Sequence, residues 1–169
     1  MMELYYDIFK FNDHQYYLIA SDSGLCFVGS PDAELAEADG FFATDNLTRN
    51  PDKLAQVKTQ LQEFLSGSRQ NFDLALDAQF GTPLQRKVWQ TLTTIKYGET
   101  LTYQQLAHRI GHPTAIRAVA SAVGRNPWMI VVPCHRVIRT DHTMGGYRGG
   151  LPLKTALLKL ESSRTALTF

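Results

Sequence analysis

The sequence predicts an α+β fold in two domains, and three observations carry that reading. Residues 3–30 hold short runs rich in Tyr, Ile, Phe and Val, broken at Asn12-Asp13 and at Ser21-Asp22-Ser23-Gly24. Such punctuated β-prone runs indicate antiparallel strands. Beyond residue 80 the apolar residues recur at helical spacing behind recognisable N-caps. The charge also divides. Residues 1–79 carry 5 Lys and Arg against 13 Asp and Glu, a net of −8, whereas residues 80–169 carry 12 against 3, a net of +9. The expected domains are therefore an α/β support domain with an antiparallel sheet at 1–79 and a mainly helical, functional domain at 80–169. An excess of Lys and Arg confined to one half suits a polyanionic partner, since phosphate contacts supply most non-specific nucleic-acid affinity.

In the first half, Leu4–Phe11, Tyr16–Ile19 and Leu25–Val28 are the expected strands. Residues 31–50 read as an acidic, irregular connection with a short helix. Asn50-Pro51 then opens a helix with Asn at the N-cap and Pro at the first helical position, and Gly67 lies beyond its end. Its apolar stripe is Leu54, Val57, Leu61, Phe64 and Leu65. Residues Phe72–Leu76 are expected to add a strand. Cys26 lies among apolar neighbours and reads as core. With His14 it makes at most half a metal site, so no metal is expected.

In the second half, Thr82-Pro83-Leu84-Gln85 is a capping box. The helix it opens carries Leu84, Val88, Trp89, Leu92 and Ile95 and stops near Gly98. Thr102 and Gln105 form a second capping box, opening a short helix that ends at Gly111. A third helix is expected from about Thr114 to Arg125, with Ile116, Val119 and Val123 as its core stripe. Two short helices joined by a tight Gly-containing turn suggest a helix-turn-helix. Ala115, Ala118 and Ala122 lie on another face of the third helix, flanked by Arg117 and Arg125. Small residues let a helix approach a surface closely, which suits a minor groove as well as another helix. A final helix from Pro152 carries Leu153, Ala156, Leu157 and Leu160. Glu161 borders its buried side, where a carboxylate needs a partner such as an imidazole.

No apolar run approaches the roughly 20 residues of a membrane span, and Met1–Asp7 has no basic leader before an apolar core. Two Cys do not make a disulfide framework, so free thiols in a reducing cytosol are expected.

The stretch most suggestive of chemistry is Pro133-Cys134-His135-Arg136-Val137, which ends the apolar run Ile130-Val131-Val132. A thiol needs a base to become the attacking thiolate. His135 can serve, and Arg136 adds positive charge. On an extended chain the two side chains diverge, so contact needs a turn or a bridging water. A core cysteine beside a chance histidine remains an equal reading of these five residues alone.

The wider set of motifs is similar to the O6-alkylguanine-DNA alkyltransferases, also called methylated-DNA–protein-cysteine methyltransferases. The resemblance covers residues 80–163 closely. It rests on Thr82–Gln85, Tyr103–Ala107, Arg117-Ala118-Val119, Asn126-Pro127, Ile130–Val137, Gly146-Tyr147 with Gly149-Gly150, and Glu161. It implies a ribonuclease H-like first domain and a winged-helix/helix-turn-helix second one. It further implies that Cys134 irreversibly accepts the alkyl group of O6-alkylguanine, and less readily of O4-alkylthymine, once per molecule. His135 would take the thiol proton through a water and Glu161 would orient the imidazole. Asn126 would brace the site. Tyr103 would protonate or hydrogen-bond guanine N3 and help rotate the 3′ phosphate. Arg117 would fill the space of the flipped nucleotide, on a helix whose Ala115, Ala118, Ala122 and Arg125 face DNA. The backbone at Cys134 and Val137 would bind the guanine edge. Tyr147, Arg148, Gly149, Trp128 and Met129 would wall the pocket. The implied partner is alkylated double-stranded DNA, bound by a cytoplasmic monomer with no cofactor; cooperative binding along DNA stays open. A non-repairing DNA-binding relative and a multiple-turnover Cys-His hydrolase remain as alternatives. The first lacks the acceptor Cys, and the second leaves the basic helices without a role.

Overall fold

A computed structural model describes residues 2–169. It is an α+β chain of two compact units. The first takes the chain up to Phe80 together with Pro127–Val131; the second comprises Gly81–Asn126 and Val132–Phe169. The 79/80 division expected from charge left residues 127–131 in the second domain, whereas they cluster with the first.

In the first unit, β1 (Leu4–Phe11), β2 (His14–Ser21) and β3 (Gly24–Val28) form the expected meander. Asn12 takes the positive φ that a tight hairpin favours. A fourth strand, β4 (Leu47–Arg49), lies in the stretch read as irregular and pairs parallel with β1, giving the order β3-β2-β1-β4. Three residues are too short for a periodic signal. A 3-10 turn at Leu35–Gly40 is the short helix.

Helix α1 (Pro51–Leu65) starts where Asn50 accepts from the Lys53 amide and buries the stripe expected of it. It also buries Gln60, whose side chain pairs both ways with the Asp73 backbone, at 3.0 and 2.8 Å. That clamp corrects one expectation. Phe72–Leu76 is no strand: its backbone is satisfied by Gln60, by one isolated bridge between Leu25 and Leu76, and by the Leu25 amide on Ala75. Gly24 permits this approach, because a Cβ there would sit 2.5 Å from the Ala75 carbonyl oxygen. Cys26 is fully buried, and burial pushes its thiol up to about 12.

The second unit packs four helices, α2 (Pro83–Leu92), α3 (Tyr103–Arg109), α4 (Ile116–Gly124) and α5 (Leu151–Ser163). Both capping boxes form reciprocally, at Thr82/Gln85 and Thr102/Gln105. Helix α2 ends at Leu92, three residues before Ile95, which is buried in the following turn. Two-residue strands β5 (Leu101–Thr102) and β6 (Val137–Ile138) pair in parallel and were not expected. They join the start of α3 to the chain just past Cys134. Among the described residues no helix is long and apolar enough to cross a membrane.

Candidate active site

Cys134, His135 and Arg136 form a single 3-10 turn between Pro133 and β6, with the Cys134 amide on the Val132 carbonyl at 2.8 Å. The turn supplies the local bend that an extended Cys-His pair lacks. All three residues are buried. Burial pushes the Cys134 thiol up, and the Asn126 side chain, Arg148 and Lys154 draw it partly back. The resting sulfur is therefore a thiol that needs a base.

His135 is fully buried and its Nε2 lies 2.5 Å from Glu161 Oε2. Burial, Arg136 and Lys154 depress its pKa; Glu161 opposes them without prevailing. The imidazole is thus neutral near pH 7, its Nε2–H held by the carboxylate. Its Nδ1 has no hydrogen-bond partner among the described residues. A neutral imidazole fixed this way presents Nδ1 as an acceptor.

Glu161 has a second partner that was not anticipated. Arg136 donates to both carboxylate oxygens, Nε to Oε1 at 2.8 Å and Nη2 to Oε2 at 3.0 Å, and its Nη1 reaches the Ile95 carbonyl at 2.6 Å. The Gly98 amide adds a bond to Oε1 at 3.1 Å. Burial alone raises the carboxyl, but His135 and Arg136 outweigh it and hold it at about 2. Arg136 was expected to bring positive charge to the thiol. It faces Glu161 instead, and the cations acting on Cys134 are Arg148 and Lys154. Lys154 sits among the apolar residues of α5 and was missed. The signal available was a lysine next to the buried stripe residue Leu153.

Asn126 follows α4, is buried, and its Nδ2 donates to the Val132 carbonyl at 2.9 Å, two residues before Cys134. Arg148 Nη2 donates to the Asn126 carbonyl at 3.2 Å. Tyr103, first residue of α3, is half-buried. Burial raises its phenol, with a further push from Cys134 and an opposing pull from Arg139. The Val137 amide closes onto the Cys134 carbonyl, and the Val137 carbonyl accepts from Lys154 at 2.7 Å. Any further partner of these two carbonyls must use a second lone pair. Tyr147, Arg148 and Gly149 are half-buried in the glycine-rich loop. Trp128 and Met129 belong to the first unit and are buried there. The Trp128 indole donates to the Leu25 carbonyl at 2.6 Å, which anchors residues 127–131 to the meander.

The third helix also differs from its expected shape. It begins at Ile116, and Ala115 is a non-helical N-cap. Ile116, expected in the core, is 38% exposed. Ala122, expected on the open small-residue face, is buried, and its carbonyl accepts the Trp89 indole at 2.8 Å. Arg117, Ala118 and Arg125 are exposed and Ala115 is half-buried. The open face of α4 is thus narrower than the alanine spacing implied, because α2 packs against the helix on the Ala122 side. Among the described residues no three His, Cys, Asp or Glu are grouped to hold a metal.

Comparison with known proteins finds likeness over both halves of the chain. The family model for the ribonuclease-like domain of 6-O-methylguanine DNA methyltransferase matches residues 4–78, and that for its DNA-binding domain matches residues 83–163. An inducible methylated-DNA–protein-cysteine methyltransferase of Bacillus subtilis is 41% identical over 162 residues, covering 94% of this chain and 90% of that one. One from Methanosarcina acetivorans is 38% identical, covering 95% and 99%. A Mycobacterium tuberculosis OGT solved in complex with DNA superposes with a TM-score of 0.84 at 36% identity, covering 96% and 95%. On that combined likeness across both halves, the chain belongs to the methylated-DNA–protein-cysteine methyltransferase family.

Proposed function

We propose that this protein repairs DNA by direct reversal, moving the alkyl group of O6-alkylguanine onto Cys134. The observation that carries the reading is the buried Cys134–His135 turn with His135 Nε2 on Glu161 and Nδ1 left open. His135 Nδ1 takes the thiol proton through a bridging water. The Cys134 sulfur attacks the alkyl carbon, a C–S bond forms and the bond to guanine O6 breaks. The electron pair leaves with guanine, which is a poor anionic leaving group and is helped by protonation. Tyr103, whose phenol stays protonated at neutral pH, donates toward the departing base. Asn126 holds the chain before Cys134 through the Val132 carbonyl. The product is a thioether with no leaving group, so each molecule reacts once.

A base stacked in a duplex cannot reach a buried thiol, so the nucleotide must be flipped. Helix α4 offers exposed Arg117 and Arg125 beside the small Ala118. Arg117 fills the vacated stack while the glycine-rich loop with Tyr147, Arg148 and Gly149 lines the pocket. The protein acts as a cytoplasmic monomer on double-stranded DNA, and O4-alkylthymine is a poorer substrate. The intact mass after incubation with O6-methylguanine duplex is expected to rise by one methyl per molecule, with no further turnover. Peptide mapping is expected to place it on Cys134, and Cys134→Ser is expected to bind DNA and gain nothing. A methyl on Cys26, or continued turnover, overturns the reading.

A further inference from the structure

Lys154 is fully buried, on the same helix as Glu161, and its side chain hydrogen-bonds to no side chain of the relay, acting on Cys134 and His135 only through its charge. Its Nζ donates to three backbone carbonyls: Val137 at 2.7 Å, Gly146 at 3.2 Å, and Met144. Three acceptors match the three donors of an ammonium. Burial lowers its pKa to about 8, against support from Cys134 and a further push down from Arg139. The charged form still predominates at pH 7. Removing an ammonium from water is costly, so three aligned carbonyls are needed to hold it there.

The acceptors are not randomly placed. Val137 is the residue immediately after the Cys134–Arg136 turn. Met144 and Gly146 flank Gly145, which has φ +69°. A Cβ on Gly145 would lie 2.9 Å from both Cε2 and the hydroxyl of Tyr103. The loop backbone therefore lies directly on the Tyr103 ring, and only glycine allows the approach. One ammonium thus ties the chain leaving the thiol to the loop that backs the tyrosine.

We propose that Lys154 is a positioning residue for alkyl transfer, holding the Tyr103 phenol against the reacting base by pinning residues 144–146. The inference rests on the alkyl-transfer reading above. Without the pin, the loop carbonyls turn to water, Gly145 leaves the ring, and Tyr103 samples orientations in which its hydroxyl misses the leaving guanine.

A double-mutant cycle on the single-turnover rate at saturating O6-methylguanine duplex tests this. Lys154→Met keeps an unbranched chain, one atom shorter, and removes all three donors. It is expected to slow transfer at least 10-fold while duplex affinity stays within 2-fold of wild type. Tyr103→Phe is expected to slow transfer as well. In the Tyr103→Phe background, Lys154→Met is expected to cost several-fold less than in wild type, keeping only its electrostatic effect on the Cys134 thiol, because the hydroxyl it positions is gone. Hydrogen exchange should show lost protection centred on residues 144–147 in Lys154→Met. If that variant does not fold, Lys154→Gln, which keeps two N–H donors, takes its place in the cycle with a smaller loss and the same non-additivity. Losses that multiply, a silent Lys154→Met, or a silent Tyr103→Phe each overturn the proposal. These outcomes are distinct from failure of the underlying reaction, in which wild-type protein gains no methyl and both readings fall.

Discussion

His135 and Glu161 are 26 residues apart in sequence, yet Nε2 and Oε2 lie 2.5 Å apart in the interior of the second unit. The contact joins a 3-10 turn to the last stretch of α5, and it decides which imidazole nitrogen is open. If Nδ1 is the proton acceptor, His135→Ala should slow methyl transfer by about 10²–10⁴-fold. Glu161→Gln should produce part of that loss, since an amide can present an N–H to Nε2 and favour the wrong tautomer. Rates measured across neutral pH check this; an undiminished rate in His135→Ala rules out the relay.

Arg136 shares the Glu161 carboxylate with His135. Arg136→Met should leave a buried carboxylate short of partners, lowering stability by about 3–5 kcal/mol. Thermal unfolding measures that. The arginine also depresses the His135 pKa. Its loss should raise that pKa, so the acid limb of the rate–pH profile should move to higher pH. A limb that stays in place would falsify the electrostatic coupling.

Acid sensitivity follows from the same carboxylate. The Glu161 carboxyl titrates near 2 when folded, below its ordinary value of 4.5. A depressed folded pKa means stability that is present above about 4.5 and is lost as pH falls through that value toward 2. The contribution is on the order of 3 kcal/mol. Denaturant unfolding at pH 6 and at pH 3 should show a loss in wild type that is much smaller in Glu161→Gln.

Exposed Arg117 stands at the second position of α4. Arg117→Ala should slow repair in duplex DNA, because the vacated stack is no longer filled. It should affect free O6-benzylguanine far less, since no flipping is needed. The measurement is the ratio of the two rates in wild type and variant, and an unchanged ratio removes Arg117 from the flipping step. Binding to undamaged duplex should weaken steeply with salt in both proteins.

Local signals in the sequence determined much of this protein. Asn50-Pro51 and the two Thr/Gln capping boxes mark three helix starts, because an N-cap is satisfied within three or four residues. The β1–β3 meander is legible from alternating short runs and turn residues. The Cys-His pair, the need of Glu161 for a partner and the basic second half are likewise visible in the residue types. What the chain alone did not disclose depends on residues distant in sequence. The side chain of Gln60 replaced a strand at 72–76 by capturing its backbone. Packing of α2 buried Ala122 and narrowed the open face of α4. Arg136 turned from the thiol to Glu161, and Lys154 gathered carbonyls from β6 and the glycine-rich loop. Each outcome is set by where a buried polar group finds its partner, and that choice exists only once the elements have packed.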